Sequence, residues 1–311
     1  MNLPRSVTVF SPAKINLFLA VTGRRRDGYH DLLSVAAPLD FGDELVAEVA
    51  SPEPQVQGQF TIVCDDPAVP VGGDNLVLRA AAAFAGETGW QGAVTFRLTK
   101  RIPMGAGLGG GSSNAVAALR ALNTLSGAGL APDALAALAA RVGSDGPLFL
   151  PGAPVVMRGR GDRVEPLPDA AARRLRGRRV LLFKPAAFGV ATAWAYATLA
   201  SFAKASEAGA AAGAYLPAAE AERRLAAWVG GADGAEALLF NSFEPVVFRK
   251  FVALPALLER LRDRFGLAVG MSGSGSGCFA LMPADAPAAA IIAVIRESWG
   301  DVAFVQAASI A

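Results

Sequence analysis

Residues 103–115 read Pro103-Met104-Gly105-Ala106-Gly107-Leu108-Gly109-Gly110-Gly111-Ser112-Ser113-Asn114-Ala115, a glycine-rich loop between a strand-like and a helix-like run. Glycine lets backbone N–H groups approach an anion with no Cβ in the way. A helix N-terminus adds unpaired donors and a favourable dipole. The loop therefore reads as a phosphate cradle. Ser112 and Ser113 are available as helix cap, phosphate ligand or indirect ligand of a magnesium ion carried on the phosphate. Gly105, Gly107 and Gly110 also spell G-x-G-x-x-G, which raises a dinucleotide-binding oxidoreductase as an alternative. That fold needs a strand running straight into the loop and a carboxylate about 20 residues on. Here Pro103 interrupts the approach, and the chain past the helix brings Gly127, Gly129 and then Asp133, placed in the first turn of another helix. A P-loop is excluded because no lysine follows the final glycine.

Around the loop, residues 94–98 alternate with Val94, Phe96 and Leu98 on one face, and 7–10, 15–21 and 45–49 also read as strands. Helices are expected over 75–85, over 113–125 with Gly127 past the end, and over 132–142 closed by Gly143. Strands over 155–158 and 180–184 follow, then a helix over 191–203 and a mobile Ala/Gly segment over 207–214. The remainder reads as helices over 218–229 and around 245–265, strands over 267–271 and 277–281, a helix over 287–297 and a strand over 302–305. Such an order predicts an α/β (α+β) protein of two domains, 1–165 and 166–311.

Composition bounds the partners. At 311 residues with 53% hydrophobic and 18% charged residues, the chain has core enough to fold and is not disordered. Lys+Arg 29 against Asp+Glu 27 gives +2, too little to make nucleic acid or an anionic membrane the main partner. Cys64 and Cys278 stand far apart in unlike contexts, so no cysteine metal site is expected and reduced thiols in the cytoplasm are. Neither an export signal nor a run of about 18 apolar residues is present.

Four further clusters carry chemistry. In Ser11-Pro12-Ala13-Lys14-Ile15-Asn16-Leu17, a lysine and an asparagine intrude on an apolar strand and face the same way. A buried ammonium needs a partner, so Lys14 calls for an anion or a carboxylate, unless it merely guards a sheet edge. Asp145 sits in the turn Gly143-Ser144-Asp145-Gly146-Pro147, where it either caps local backbone or, with a lysine, activates a hydroxyl beside bound phosphate. Arg24-Arg25-Arg26-Asp27-Gly28-Tyr29-His30 holds the only histidine, and its two rings suit a nucleobase. Residues 270–278 form a second Gly/Ser loop, an ordinary hairpin unless it joins the first at one cleft.

Together these stretches resemble the GHMP kinase superfamily, whose three motifs run in this order. Residues 12–17 and 23–30 are similar to the first motif of the branch acting on a cytidine-diphosphate-linked methylerythritol. Pro103 through Ala115 resembles the superfamily phosphate loop, and 271–279 the third motif. The resemblance implies a two-domain fold with the active site in the cleft between domains. It also implies ATP and Mg²⁺ as cofactors, with no direct protein ligand to the metal assigned. By it Asp145 is the catalytic base, and Lys14 polarises the acceptor hydroxyl and restrains Asp145. Asn16, Thr192, Gly273 and Ser274 contact the acceptor, Tyr29 and His30 hold its cytosine with Tyr196 as an aromatic lid, and Asn75 and Lys100 lie near the ATP base. Two positions depart from the family pattern: Gly146 replaces a small β-branched residue and is expected to loosen the turn at Asp145, and Ser242 stands where aspartate is common. Rivals are a sugar or mevalonate-type kinase, a diphosphomevalonate decarboxylase and a non-catalytic relative. Tyr29-His30 speaks against the first two, and Lys14 with Asp145 against the third.

Overall fold

The computed structural model describes residues 3–50, 59–207 and 215–311. Its elements are β1 (Ser6–Arg24), β2 (His30–Val49), β3 (Phe60–Cys64), α1 (Leu76–Thr88), β4 (Val94–Thr99), α2 (Gly110–Ser126), α3 (Pro132–Val142), β5 (Val155–Gly159), β6 (Arg163–Pro166) and α4 (Asp169–Leu175). There follow β7 (Arg179–Lys184), α5 (Thr192–Glu207), α6 (Ala218–Gly230), β8 (Phe240–Asn241), α7 (Glu244–Lys250), α8 (Ala253–Phe265), β9 (Ala268–Met271), β10 (Cys278–Met282), α9 (Ala288–Trp299) and β11 (Phe304–Ser309). Two units interleave in sequence. The described residues of Met1–Ala13, Phe41–Met104 and Gly109–Gly152 form one, those of Lys14–Asp40, Gly105–Leu108 and Ala153–Ala311 the other.

In the first unit, β4 lies parallel to β3 and antiparallel to the end of β2, with Leu45 opposite Leu98 and Ala47 opposite Phe96. Val94, Phe96 and Leu98 are buried and the residues between them are not, as the alternation predicts. Helices α1, α2 and α3 pack on one another. Through its middle α2 is buried on all sides, and its alanines at 115, 117, 118 and 121 allow that close approach.

In the second unit, β5 pairs antiparallel with β2, Val35 opposite Val156, and β8 runs parallel to β1, Phe18 opposite Phe240. A second sheet has the order β11-β7-β10-β9, every neighbour antiparallel. Helix α8 packs on β9 and on α9.

Differences from the sequence expectation have local causes. The runs 7–10 and 15–21 fuse into β1, and β2 begins at His30 although only 45–49 reads as strand. Residues 32–39 are buried without alternation, so a one-sided pattern is absent there. β3, β6, α4 and β8 are too short to show a period, and the helical stretch at 245–265 breaks at Phe251-Val252. Of the segment 207–214, all but Glu207 lies outside the described residues. No helix among the described residues is long and apolar enough to cross a membrane.

Candidate active site

Within the second unit the two glycine loops meet along their backbones. The N–H groups of Ser276 and Gly277 donate to the carbonyls of Gly105 and Ala106 at 3.2 and 3.0 Å, and Ser272 Oγ donates to Gly107 O at 2.9 Å. Gly107 has φ +69°, and a Cβ built on it would stand 2.1 Å from the carbonyl oxygen of Ser272. Only glycine fits there. Lys14, 2% exposed, donates from Nζ to that same Gly107 carbonyl at 2.9 Å and to Asn16 Oδ1 at 2.5 Å. The shared face expected of residues 14 and 16 is therefore used. Asn16 Nδ2 in turn donates to Ser34 Oγ, and Ser34 Oγ to Phe18 O, so a chain of buried polar groups holds the lysine. Asn241 Nδ2 donates to the carbonyls of Met271 and Gly273, fixing the second loop, and Thr192 and Ser274 share a hydrogen bond of 3.0 Å between hydroxyls.

The first unit carries the remainder of the first glycine loop. Helix α2 starts at Gly110, earlier than Ser113, with Gly109 at φ +75° as its N-cap and no capping side chain among the described residues. The serines therefore do not cap it. Ser113 Oγ is buried and accepts from Ser11 Oγ at 2.9 Å, which leaves Ser112 as the partly exposed hydroxyl at the head of the helix. Lys100 Nζ donates to Asp43 Oδ2 at 2.5 Å and to Ile102 O at 2.7 Å, while Asp43 Oδ1 accepts from the backbone of Arg101 and Ile102. A Cβ on Gly110 would lie 3.2 Å from that ammonium, so the Lys100–Asp43 pair stands beside the start of α2. Asn75 caps α1, accepting from Val77 N–H at 2.9 Å, and Leu76 lies against Gly111. Pro103 and Met104 lead into the loop, with the Met104 side chain exposed.

Asp145 is half-buried in the turn after α3, and Gly143 of that turn stands against Ser112 Oγ, a built Cβ lying 3.7 Å away. The departure at Gly146 has a steric cause opposite to the expected loosening. A Cβ there would sit 2.7 Å from the carbonyl oxygen of Ala139, so the absent side chain lets the turn close onto α3. Ser242 is equally explained: its Oγ accepts from Val21 N–H at 3.0 Å and its N–H donates to Leu19 O, which ties β8 to β1.

A group of rings gathers at the start of β2. His30 stacks on Tyr196 at 4.8 Å between centroids and 28° between planes, and Tyr196 meets Phe243 edge-on. At that spacing no base fits between His30 and Tyr196. Tyr29 is 58% exposed, the most accessible ring of the group, and Arg160 lies over its ring at 4.9 Å. Burial lowers the His30 pKa, with Arg24 adding to the effect, which keeps the imidazole neutral at pH 7.

Sequence reasoning missed Asp43, Ser34, Asn241 and Tyr215. Asp43 stands among other acidic residues, Asp40 and Glu44, so nothing in the local sequence marks it out, and its partner lies 57 residues away. The others are ordinary polar residues whose roles come from what folds against them.

Two family models match the chain, the GHMP kinases N terminal domain over residues 75–152 and the GHMP kinases C terminal model over 217–301. The 4-diphosphocytidyl-2-C-methyl-D-erythritol kinase of Synechococcus sp. (strain CC9311) is 39% identical over 308 residues, covering 96% of this chain and 94% of the relative. That of Methylacidiphilum infernorum (isolate V4) is 35% identical, covering 92% and 90%. A crystal structure of 4-(cytidine 5'-diphospho)-2C-methyl-D-erythritol kinase superposes with TM-score 0.72 at 34% identity, over 98% of this chain and 100% of the other. The L. major mevalonate kinase bound to R-mevalonate shares the fold at TM-score 0.70 and 14% identity, over 100% and 98%. The paired glycine loops and the lysine locked against them are thus the furniture of a kinase, and the chain belongs to the GHMP kinases, within the family of 4-diphosphocytidyl-2-C-methyl-D-erythritol kinases.

Proposed function

We propose that this enzyme transfers the γ-phosphoryl group of ATP to the 2-hydroxyl of 4-diphosphocytidyl-2-C-methyl-D-erythritol, in the non-mevalonate route to isoprenoid precursors. The observation that carries the phosphoryl-transfer half is the loop at 105–113. Its carbonyls are taken up by Lys14 and by the 272–277 loop, while the first amides of α2 have no intrahelical acceptor and face an anion favourably. The acceptor oxygen forms a bond to the γ-phosphorus as the bond from that phosphorus to the bridging oxygen breaks. The hydroxyl proton passes to the Asp145 carboxylate, and ADP leaves. Lys14 lends its positive charge to the acceptor hydroxyl and restrains Asp145. Positioning and electrostatics do most of the work in such a transfer.

Among the described residues no three of His, Cys, Asp and Glu gather at one point. The partly exposed Ser112 hydroxyl at the head of α2 is a hard oxygen donor and fits a magnesium ion delivered on the triphosphate, which would keep most of its water and phosphate ligands. When bound, the ion draws charge from the β- and γ-phosphates. Asn16, Thr192, Gly273 and Ser274 take the polyol end of the acceptor, Tyr29, His30 and Tyr196 its base, and Asn75 and Lys100 flank the ATP. We divide the chain into N- and C-terminal kinase domains at 165/166, a boundary inside the stretch left between the family matches at 75–152 and 217–301, although the compact units interleave and group residues 14–40 and 105–108 with the C-terminal part. Unpaired Cys64 and Cys278 suit a reducing compartment, and we place the enzyme in the cytoplasm.

The test is ATP consumption with cytidine-linked, uridine-linked and free methylerythritol phosphate acceptors. Strong preference for the cytidine-linked compound is expected. Equal use of all three would return the protein to the generic sugar kinases.

A further inference from the structure

The chain has one histidine and three tyrosines, and the structure brings Tyr196 and Tyr215 onto the ring of His30, with Tyr29 its neighbour in sequence. Tyr215 belongs to no motif. Its ring meets His30 edge-on at 5.9 Å and 61°, and its hydroxyl lies 3.2 Å from His30 Nε2. The next residue, Leu216, donates its N–H to Val21 O at 3.1 Å, so the phenol is moored to β1. Across β1 and β2, Thr22 Oγ1 donates to Asp31 O, which fixes the strand end that carries His30. Among the described residues no partner stands against Nδ1.

We propose that Tyr215 is a positioning residue that sets the tautomer of His30: its hydroxyl donates to Nε2, so that the proton resides on Nδ1 and the imidazole offers an N–H donor to the base of the acceptor. A phenol O–H is a better donor than a neutral imidazole N–H, and the nitrogen that accepts decides which one keeps the proton. The consequence for recognition rests on the cytidine reading above. Cytosine presents an acceptor at N3, where uracil presents an N–H donor. An imidazole held as a donor matches the first and opposes the second.

Because His30 is the only histidine, ¹⁵N labelling of histidine gives the signals of one imidazole, and the tautomer is read directly without substrate. The wild type should show a protonated Nδ1 and an unprotonated Nε2, and Tyr215→Phe, which keeps the ring and removes only the hydroxyl, should shift the proton toward Nε2. The same variant should raise the KM for the cytidine-linked acceptor about 2- to 10-fold, leave kcat and the KM for ATP in place, and narrow the cytidine-over-uridine preference. A protonated Nε2 in the wild type, or a spectrum unchanged by Tyr215→Phe, overturns the tautomer assignment whatever the substrate. A shifted tautomer with an unchanged KM overturns the role in recognition. If instead the wild type does not distinguish the two bases, it is the proposed function that fails, while the spectrum still decides the part played by Tyr215.

Discussion

Replacing Gly107 by alanine tests whether the meeting of the two loops makes the phosphate site. The residue sits at φ +69°, where an L side chain costs about 1–2 kcal/mol before any contact is considered. Its new Cβ would stand 2.1 Å from Ser272 O and 3.2 Å from Gly275 N, both backbone atoms that cannot rotate away. Separating the loops by the ångström or more that this demands stretches the bonds from Lys14 Nζ and Ser272 Oγ to Gly107 O. Hydrogen bonds of these two kinds are worth about 1.5–3 and 0.5–1.5 kcal/mol. Together the losses reach about 3–6 kcal/mol if they are felt at the bound triphosphate, or a fall in ATP affinity of two orders of magnitude or more. Calorimetric titration with a non-hydrolysable ATP analogue reads the affinity, and urea denaturation separates it from global stability. Gly89→Ala is the control. It has the same φ of +69° but nothing within 4 Å of the added Cβ, so it should lose about 1 kcal/mol of stability and bind nucleotide normally. ATP affinity in Gly107→Ala equal to that of the control would refute the steric reasoning.

Asp145→Asn should lower turnover by about 10²- to 10⁴-fold with ATP binding nearly intact, because it removes a base and no phosphate ligand. Lys14→Met should act at the same step, and the double variant should fall short of the product of the two effects, as steady-state kinetics will show. Glu244, whose Oε1 accepts from Met271 N–H, has a carboxyl pKa raised by burial, with that hydrogen bond and Arg262 opposing the shift. A raised carboxyl pKa means the folded state holds the proton more tightly, so its contribution is full below pH 4.5 and is lost as pH rises through the folded value. Glu244→Gln, which keeps the acceptor and cannot ionise, should therefore melt above the wild type at pH 8, with the gap closing toward pH 4.5. A gap that widens on acidification would reverse the assignment.

How much of this was legible beforehand varies from element to element. The alternation of Val94, Phe96 and Leu98 predicts β4, because one face of that strand is buried and the other is not. Helices α2 and α3 follow from runs of good helix formers closed by Gly127 and Gly143, the first of which adopts φ +66°. Most of β2 escaped notice since residues 32–39 are buried without alternation. The family was legible from short motifs, because backbone approach to phosphate tolerates few residue types.

What the sequence determined by itself is the character of local stretches: a glycine loop with its backbone unshielded by side chains, a lysine and an asparagine on one strand face, an aspartate in a tight turn. These depend on φ, on side-chain size and on a period of two or three and a half residues, all properties of neighbours along the chain. Only the tertiary structure decided their partners. Lys14 is held by a carbonyl 93 residues on, Lys100 by a carboxylate 57 residues back, and His30 by a tyrosine 185 residues away. The close approach of Gly107 to Ser272 and of Gly146 to Ala139 makes glycine obligatory at positions that sequence alone marks as merely permissive. Such pairings arise when distant segments bury their apolar faces together and bring polar groups within reach of one another, and no local pattern encodes which segment will arrive.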